Sequence, residues 1–464
     1  MIARQPLRPA AAAQAPEPGV HGIHDDALAN NSYLVEVGQH EAVVIDPPRD
    51  PGPQIRLAEQ IGVRIAATLE THVHADYVSG AREHAACGAD VFVPKDAAVA
   101  WLHQNVADGD RVRFGDVAFR ALATPGHTPE HLAYVLEHAG EPRAVFTGGS
   151  LIVGGAGRTD LLGDARTDEL ARAQFRSLRL LRQLPDAVRV YPTHGAGSFC
   201  LASTTSVENP TIGSERITNP LLAIHDEDTF GDELRRGFGT FPRYYCHLQA
   251  VNRAGTRLLR DLSPPPALDP RRVVRRTEEG AVLVDARPIH EWAVGHPAGA
   301  ISNALRPAFP SWLGWVVPFG TSVILIADGA ERAEAVRLAR AIGYDDLAVL
   351  DGDVDAWRSE GLPTSTTEEL TPHEAAERQR AGAVLLDVRQ DVEFDVLRIP
   401  GALHLELGAI IAGETPDAPA VIAFCGHGER SATAAGLLEQ RGVRVANLIG
   451  GTAAWVDAGL PVES

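Results

Sequence analysis

The sequence predicts a three-part α/β protein: a strand-rich layered unit over residues 1–262, then two smaller parallel-sheet units at 268–365 and 366–464. Three observations carry this. At roughly 150 residues per domain, 464 residues amount to about three domains. Two tracts punctuate the chain, the stiff Ser263-Pro264-Pro265-Pro266 and the polar Pro363-Thr364-Ser365-Thr366-Thr367. The stretches after them repeat one another. Val284-Asp285-Ala286-Arg287 matches Leu386-Asp387-Val388-Arg389, and Pro297-Ala298-Gly299-Ala300 matches Ile399-Pro400-Gly401-Ala402. Asp355-Ala356-Trp357 with Gly361-Leu362-Pro363 matches Ala453-Ala454-Trp455 with Gly459-Leu460-Pro461. An offset of about 100 residues is too long for a solenoid and indicates two copies of one fold.

In the first unit, short apolar runs read as strands: Ser32 to Val37, Ala42 to Ile45, Ala66 to Leu69, Val91 to Val93, Val117 to Ala121, Ala133 to Leu136 and Ala144 to Phe146. Several histidines follow strand ends, which suits a site at the rim of a sheet. In the first copy, Val282 to Val284, Val323 to Ile326 and Leu347 to Leu350 alternate with helical patterns such as Glu331 to Ile342, the signature of a parallel sheet with crossover helices.

Composition excludes several classes of function. With 45% hydrophobic and 22% charged residues the chain can bury real cores and is neither disordered nor fibrous. Its net charge, 42 − 61 = −19, and the lack of any basic run argue against nucleic acid and acidic membranes as partners. No stretch approaches the roughly 18 apolar residues of a membrane span, and the Ala/Pro-rich start, Pro9 to Pro18, lacks the apolar core of a secretory signal. The expectation is a cytoplasmic protein. Cys87, Cys200, Cys246 and Cys425 form no CxxC pair, so each is either buried or chemical.

Cys425 has the strongest case for chemistry. The buried-strand run Val421-Ile422-Ala423-Phe424 leads into Cys425-Gly426-His427-Gly428-Glu429-Arg430-Ser431, then a helix that stops at Gly442. In a strand, tight loop and helix N-terminus, backbone N–H groups converge on one atom, here the Cys425 sulfur. Those dipoles and Arg430 favour the nucleophilic thiolate and stabilise the terminal charge of a persulfide. Cys425 and Arg430 are thus the expected catalytic pair, with Gly426, His427, Gly428, Glu429 and Ser431 forming the cradle. Cysteine-loop phosphatases set their arginine one position further on, to ring a phosphate; Arg430, five positions after Cys425, closes a smaller cradle suited to a sulfane sulfur.

The pattern CxxGxRS, with Asp387-Val388-Arg389 upstream and Gly450-Gly451 and Trp455 downstream, resembles the rhodanese family of sulfurtransferases over the whole third unit. The second unit resembles it too, but its loop reads Ile326-Ala327-Asp328-Gly329-Ala330-Glu331-Arg332. Ala327 stands at the cysteine position, so this copy is expected to be a structural or docking module.

In the first unit, Thr71-His72-Val73-His74-Ala75-Asp76-Tyr77 places three metal-competent side chains within five residues. Thr124-Pro125-Gly126-His127-Thr128 and Tyr191-Pro192-Thr193-His194-Gly195 put further histidines on strand-end turns. A lone histidine is more often a core or surface residue than a ligand, but four in such places point to a metal. This constellation resembles the metallo-β-lactamase superfamily, and more closely its glyoxalase-II-like branch that includes the persulfide dioxygenases, over residues 20 to 260. Asn30-Asn31-Ser32-Tyr33, Ile45-Asp46-Pro47, Gly157-Arg158-Thr159-Asp160 and Asn252-Arg253-Ala254-Gly255 add to the likeness. The resemblance implies an αββα sandwich followed by two rhodanese-like parallel-sheet domains.

Two positions depart from the family pattern. Tyr77 replaces the last histidine of HxHxDH, and Gly149 replaces a metal-binding aspartate. A two-metal site would keep only Asp76 and His194 for its second ion, which disfavours a binuclear hydrolase. The dioxygenase branch holds iron by two histidines, matched by His72 and His127, and by the aspartate missing here. Three outcomes stay open: a mononuclear site of His72, His74 and His127; water or substrate sulfur in the vacant position; or a degenerate binding module. The candidate ligands are His72, His74, Asp76, His127 and His194, for one mononuclear metal, Fe(II) in preference to Zn.

The resemblance also puts Thr128, Arg158 and Tyr244-Tyr245-Cys246-His247 near the groove for a glutathione-like substrate. Arg158 is the residue expected to grip a substrate carboxylate in bidentate fashion, unless it forms a surface salt bridge. Cys87, Cys200 and Cys246 are expected to be structural. The favoured reading is a sulfur-metabolising enzyme acting on a small thiol or persulfide, such as glutathione persulfide, and on thiosulfate; a homo-oligomer is compatible with it. The alternative is a sulfurtransferase alone, and a third reading, thioester hydrolysis, ranks last.

Overall fold

The strands of the first unit turn their apolar faces toward one shared interior, and this makes two facing sheets. The computed structural model describes residues 17–195 and 209–464. One sheet runs in sequential order, Val20–Asp25, Asn30–Val37, Glu41–Ile45, Arg64–Leu69, Asp90–Pro94 and Gln104–Val106. The other has the order Arg189–Pro192, Glu141–Gly148, Leu132–His138, Val117–Ala123 and Arg111–Phe114. Between them Val35, Val43, Ile45 and Leu69 meet Phe119, Tyr134, Leu136 and Phe146.

Each outer face is covered by a helix. Ala58 of Gly52–Ile61 packs on Leu34, Ala42 and Val44, while Ala171, Leu178 and Leu181 of Asp164–Leu181 pack on Ala133, Val135 and Val145. The result is the αββα sandwich. The first of these helices is also the crossover that lets Glu41–Ile45 and Arg64–Leu69 pair in parallel. It ends at Gly62, whose φ of 75° is a left-handed cap.

Topology gathers the candidate residues. Asp46, His72, His127, Gly149 and His194 lie just beyond the C-terminal ends of Glu41–Ile45, Arg64–Leu69, Val117–Ala123, Glu141–Gly148 and Arg189–Pro192. Parallel pairings bring these ends to one rim of the sandwich.

The two copies repeat strand for strand. The first sheet has the order Ala267–Leu268, Leu347–Leu350, Val323–Ile326, Val282–Asp285, Ile301–Ser302. The second has Glu368–Leu370, Arg444–Leu448, Ala420–Phe424, Leu385–Asp387, Leu403–His404. The repeated Asp-x-Arg is a buried brace: Arg287 pairs with Asp285 (2.5 Å) and reaches the Gly295 carbonyl (3.0 Å), and Arg389 pairs with Asp387 (2.6 Å) and the Leu397 carbonyl (2.6 Å). Part of the polar tract, Thr364–Ser365, pairs antiparallel with His296–Pro297 of the first copy. Among the described residues no helix is long and apolar enough to cross a membrane.

The copy without a cysteine touches both other units. On the metallo side, Arg49 is buried and bidentate on Asp345 (2.6 and 2.9 Å), with further bonds to the Arg340 and Arg257 carbonyls (2.6 and 3.2 Å). The Val78 N–H donates to the Ala341 carbonyl (2.9 Å), and His247 stacks on Phe319 at 5.3 Å. On the other side, Thr433 Oγ1 donates to the Ser302 carbonyl (2.7 Å) and Gln440 to the Gly299 carbonyl (2.9 Å).

Arg49→Ala leaves Asp345 and two carbonyls without their cation and is expected to cost about 3 kcal/mol. In calorimetry the metallo and rhodanese units then separate into transitions at different temperatures. An unchanged thermogram would refute this role.

Candidate metal centre and cysteine loop

The rim holds a cluster of buried imidazoles whose orientations are each set by a neighbour. His72 Nδ1 bonds Thr71 Oγ1 (2.8 Å), and that hydroxyl donates to Asp46 (2.7 Å), so His72 Nε2 is left buried with no protein partner. His127 Nδ1 is held by the Arg158 carbonyl (2.8 Å), and its backbone N–H donates to Gln174 (2.8 Å). His194 Nδ1 faces Asn30 Oδ1 (3.0 Å) and Asp76 (3.3 Å), leaving Nε2 buried and unpartnered. One nitrogen from each of His72, His127 and His194 lies within 4.8 Å of the others. Asp76 accepts from Asn30 (2.7 Å) through one oxygen, while its other oxygen is buried without a partner.

Burial, and then the crowding of neighbouring imidazoles, holds the pKa of His72 and of His127 well below the usual histidine value. Burial raises the pKa of Asp76, but His194, His74 and the Asn30 bond outweigh it and keep the carboxylate ionised. Neutral imidazoles with free lone pairs beside a carboxylate are what a divalent transition metal requires. A buried polar atom without a partner costs about 1–3 kcal/mol, and His72 Nε2, His74 Nδ1, His194 Nε2 and one Asp76 oxygen here lack one. The donor set fits a metal ion.

Gly149 explains how the site does without its carboxylate. A Cβ at 149 would come within 2.7 Å of Cγ and Nε2 of His127, and a Cβ at Gly157 within 2.8 Å of its Nδ1. The ring sits in a cradle of two glycines, and a side chain at 149 excludes it from that place.

The set expected from spacing, His72 with His74 and His127, is not the one assembled. His74 stacks on Tyr77 (4.3 Å) and turns Nε2 toward Glu70 (3.0 Å), the Tyr77 hydroxyl (3.0 Å) and Asp46 (3.4 Å). Burial works against its charge, but Asp46 and Glu70 prevail and lift its pKa to about 10. Its place in the group is taken by His194. His74 instead falls in a second group with Asp46 and His72.

Arg158 is also placed differently. It is buried, bidentate on Asp160 (2.6 and 2.7 Å), bonded to the Gly239 carbonyl (2.8 Å) and packed over Phe241 and Phe238 (4.4 and 5.2 Å). Its fork does grip a carboxylate, but an internal one. Thr128 is buried with its hydroxyl unpartnered. Tyr244 donates to the Asp76 carbonyl (2.9 Å) and is buried with Tyr245, while Cys246 and His247 are exposed and His247 stacks on Phe319 of the cysteine-free copy. Cys87 and Cys246 are exposed, contrary to a structural role, and Cys200 lies outside the described residues.

Two residues of the centre escaped the sequence reading. Asp46 accepts from the backbone N–H and hydroxyl of Thr71 (both 2.7 Å) and from the Thr193 hydroxyl, tying three strand ends together. His131 stacks on His72 at 5.0 Å, bonds Thr124 Oγ1 (2.8 Å) and accepts from the Gly149 N–H (3.0 Å). Burial holds its pKa down to about 3, so it is a neutral acceptor. Its position four residues after His127 was the available signal.

In the third unit Cys425 is buried, and its Sγ accepts from the Gly428 N–H (3.1 Å) and the Ser431 hydroxyl (3.7 Å). Gly428 has φ of 109°, the turn that aims its N–H at the sulfur before helix Glu429–Glu439 begins. Gly451, at φ 57°, lets the loop lie flat: Thr452 N–H and Oγ1 both donate to the Cys425 carbonyl (2.7 and 3.0 Å). Arg430 is bidentate on Glu393 (2.5 and 2.7 Å). Burial opposes its charge, but Glu393 and the Cys425 sulfur raise its pKa above the usual value. Gly426 and Glu429 are half-buried and His427 is exposed at the mouth. In the other copy Ala327 is buried at the matching place, and Arg332 reaches only its carbonyl (3.4 Å).

Comparisons with known proteins agree with this architecture. The model of the metallo-beta-lactamase superfamily matches residues 25–194, and that of the rhodanese-like domain matches 269–360 and 371–458. The chain belongs to the metallo-β-lactamase superfamily and carries two rhodanese-like domains. It is 32% identical to the mitochondrial persulfide dioxygenase ETHE1 of Homo sapiens, over 40% of this chain and 69% of that protein. It is 33% identical to a hydroxyacylglutathione hydrolase of Cereibacter sphaeroides, over 39% of this chain and 70% of that one. Among solved structures, a metallo-beta-lactamase from Staphylococcus aureus superposes over 72% of this chain and 98% of its own, with a TM-score of 0.65 and 29% identity. These relatives imply a metal at the histidine cluster.

His72→Ala and His194→Ala are expected to lower the metal affinity of the purified protein about 10–100-fold, and Gly149→Ala to do so by displacing the His127 ring. His74→Gln should keep its metal. Elemental analysis against circular dichroism reads this out, and loss at position 74 with retention at 194 would overturn the grouping.

Proposed function

We propose that the protein is a sulfur-metabolising enzyme. In this reading its metal domain oxidises a small persulfide such as glutathione persulfide, and Cys425 accepts and hands on sulfane sulfur. The observation that carries it is the His72, His127 and His194 group beside a glycine at 149. With no side chain there to bridge two ions, and with Tyr77 where a further histidine stands in the family pattern, the donors suit one metal ion. Three nitrogen donors with open positions can hold either Fe(II) or Zn, and the proposed oxidation calls for Fe(II). When bound, such an ion supplies the redox chemistry that makes O2 reactive toward sulfur.

The chain's own residues do the rest. Thr71, the Arg158 carbonyl and Asn30 fix the three rings so that little reorganisation is needed, and the buried Thr128 hydroxyl is free to bond a substrate. At the other centre, the Cys425 thiolate attacks the outer sulfur of thiosulfate and sulfite leaves with the bonding pair. The Gly428 N–H and the Ser431 hydroxyl hold the Cys425 sulfur in place through the exchange. A thiolate attacking the terminal sulfur regenerates Cys425 and departs as a small persulfide, the substrate class of the metal domain. A cytoplasmic setting belongs to this proposal.

A second reading, a sulfurtransferase alone, is favoured by one observation: Arg158 is committed to Asp160 and does not offer a grip for a substrate carboxylate. Oxygen uptake separates the two. The Fe(II)-loaded protein is expected to consume O2 with glutathione persulfide and to lose at least about 100-fold of that rate in His127→Ala. Tight iron without uptake leaves only the sulfurtransferase. Thiosulfate-to-cyanide transfer should vanish in Cys425→Ser and persist in Cys87→Ser.

A further inference from the structure

A cavity of about 700 Å³ lies where the metallo unit meets the cysteine-free copy, and neither the three grouped histidines nor any residue of the cysteine loop lines it. Small-molecule sites favour such junctions and span about 300–1,000 Å³. The metallo unit contributes Asp25 and Leu28, from the turn that closes strand Val20–Asp25. The cysteine-free copy contributes Leu305, Arg306 and, from helix Gly329–Ala341, Leu338. Asn30 and Tyr77 also border the space. Asn30 bonds Asp76 (2.7 Å) and faces His194 (3.0 Å), and Tyr77 bonds His74 (3.0 Å). The cavity therefore touches side chains that orient the metal centre without touching its ligand group.

Most charges lining it are already spent. Arg337 is bidentate on Glu334 (2.8 and 2.6 Å), Asp26 faces His24 (3.4 Å), and Asp46 is bonded to Thr71 (2.7 Å). A Cβ on Gly52 would lie 3.0 Å from Asp50 Oδ1 and 2.9 Å from a terminal nitrogen of Arg56, which puts those opposite charges side by side. Two charges are left, one from each unit. Asp25 accepts through one oxygen from the Ala27 and Leu28 N–H groups (2.8 and 3.3 Å), and its other oxygen bonds no described residue. The Arg306 guanidinium bonds no described residue either; its Nε is sealed in, and its terminal nitrogens stay accessible. Glu429 of the active copy acts on its charge without forming an ion pair.

A bare anion in this space would meet the carboxylates of Asp25, Asp26, Asp46, Asp50 and Glu334, and a bare cation would leave Arg306 unpaired. A ligand carrying both charges satisfies both walls, through charge-assisted hydrogen bonds at each end. We propose that the cavity binds the amino-acid zwitterion of a γ-glutamyl thiol such as glutathione, with its ammonium on Asp25 and its carboxylate on Arg306. Leu28, Leu305 and Leu338 line the space for the uncharged part of the molecule. Binding is non-covalent and separate from the metal centre. The choice of glutathione rests on the persulfide reading, since oxidising the outer sulfur of its persulfide leaves that thiol; the zwitterion site stands without it.

The probe is S-methylglutathione, which keeps the zwitterion but has no thiol to bind a metal or exchange with Cys425. Titrated calorimetrically into the full chain, it is expected to bind saturably at one site. Arg306→Gln and Asp25→Asn should each raise its Kd about tenfold, and Arg306→Lys should restore part of the first loss. Asparagine keeps an acceptor for the Ala27 and Leu28 N–H groups, so the turn survives the second change. The N-acetylated probe, which lacks the ammonium, should bind the wild type about tenfold more weakly and be indifferent to Asp25→Asn. No saturable binding, or binding that either neutral variant leaves unchanged, overturns the proposal. Binding with these sensitivities in a protein whose iron-loaded form takes up no O2 upholds the site and overturns the dioxygenase reading.

Discussion

The place of the His127 ring is the constraint on which the metal centre depends. It lies between Gly149 and Gly157, and its Nδ1 is fixed by the Arg158 carbonyl. That carbonyl is itself immobile, because the Arg158 guanidinium is clamped by Asp160, the Gly239 carbonyl and Phe241. Arg158 therefore serves the centre through its backbone, and its buried ion pair acts as the anchor of a ligand. An aspartate at 149 would supply a donor but require the ring to move from its present place. The glycine gives up the carboxylate and leaves room for the imidazole, and His194 supplies the third nitrogen. Asp76 then remains the only carboxylate with an unpartnered oxygen beside this group among the described residues.

The cysteine-free copy earns its place through packing. One apolar cluster runs from Leu28, Tyr77 and Tyr244 of the metallo unit through Trp292, Phe309 and Leu338 to Cys425, Ala435 and Leu438 of the active copy. Each such side chain contributes about 1.5–3 kcal/mol on burial. Removing the middle copy would expose both faces at once, and with them the helix that aims Gly428 at the sulfur. Loss of a nucleophile at Ala327 costs this scaffold nothing, since a small buried side chain still fills the position.

Much of this was legible in the sequence, and the part that was not has a common cause. The strand runs, the repeat, and the cysteine loop are local patterns, and the structure keeps the strands or extends them by up to three residues at an end. The omitted strands, Val20–Asp25, Gln104–Val106 and Arg111–Phe114, have partly exposed, mixed patterns that carry little periodic signal. The choice between His74 and His194 could not be read from spacing. His72 and His74 are neighbours in sequence, but Glu70 and Asp46 turn the His74 ring to a different task, and a contact with Asn30, 164 positions away, turns His194 inward. Arg158 looked like a ligand grip because a bidentate fork leaves no trace in sequence of which carboxylate it will meet. Asp46 and His131 were in view, but only the fold shows that they meet the ligands.

An anionic substrate approaching a chain of net charge −19 meets a repulsive far field, yet that field does not decide binding. At physiological ionic strength, charges separated by more than about 8 Å are largely screened. A single partly buried cation about 4 Å from an anion is worth about 4 kcal/mol at an effective dielectric of 20. Such an effect needs a cation that is not already neutralised. Arg430 is held by Glu393 and Arg158 by Asp160, so each presents a dipole more than a charge. Next to Cys425 the half-buried Glu429 adds a negative side chain, and the sulfur is met by the oriented Gly428 N–H and the Ser431 hydroxyl. The sulfur is therefore served by short-range dipoles of its own loop, and that loop is positioned by one helix packed on one strand of the other copy.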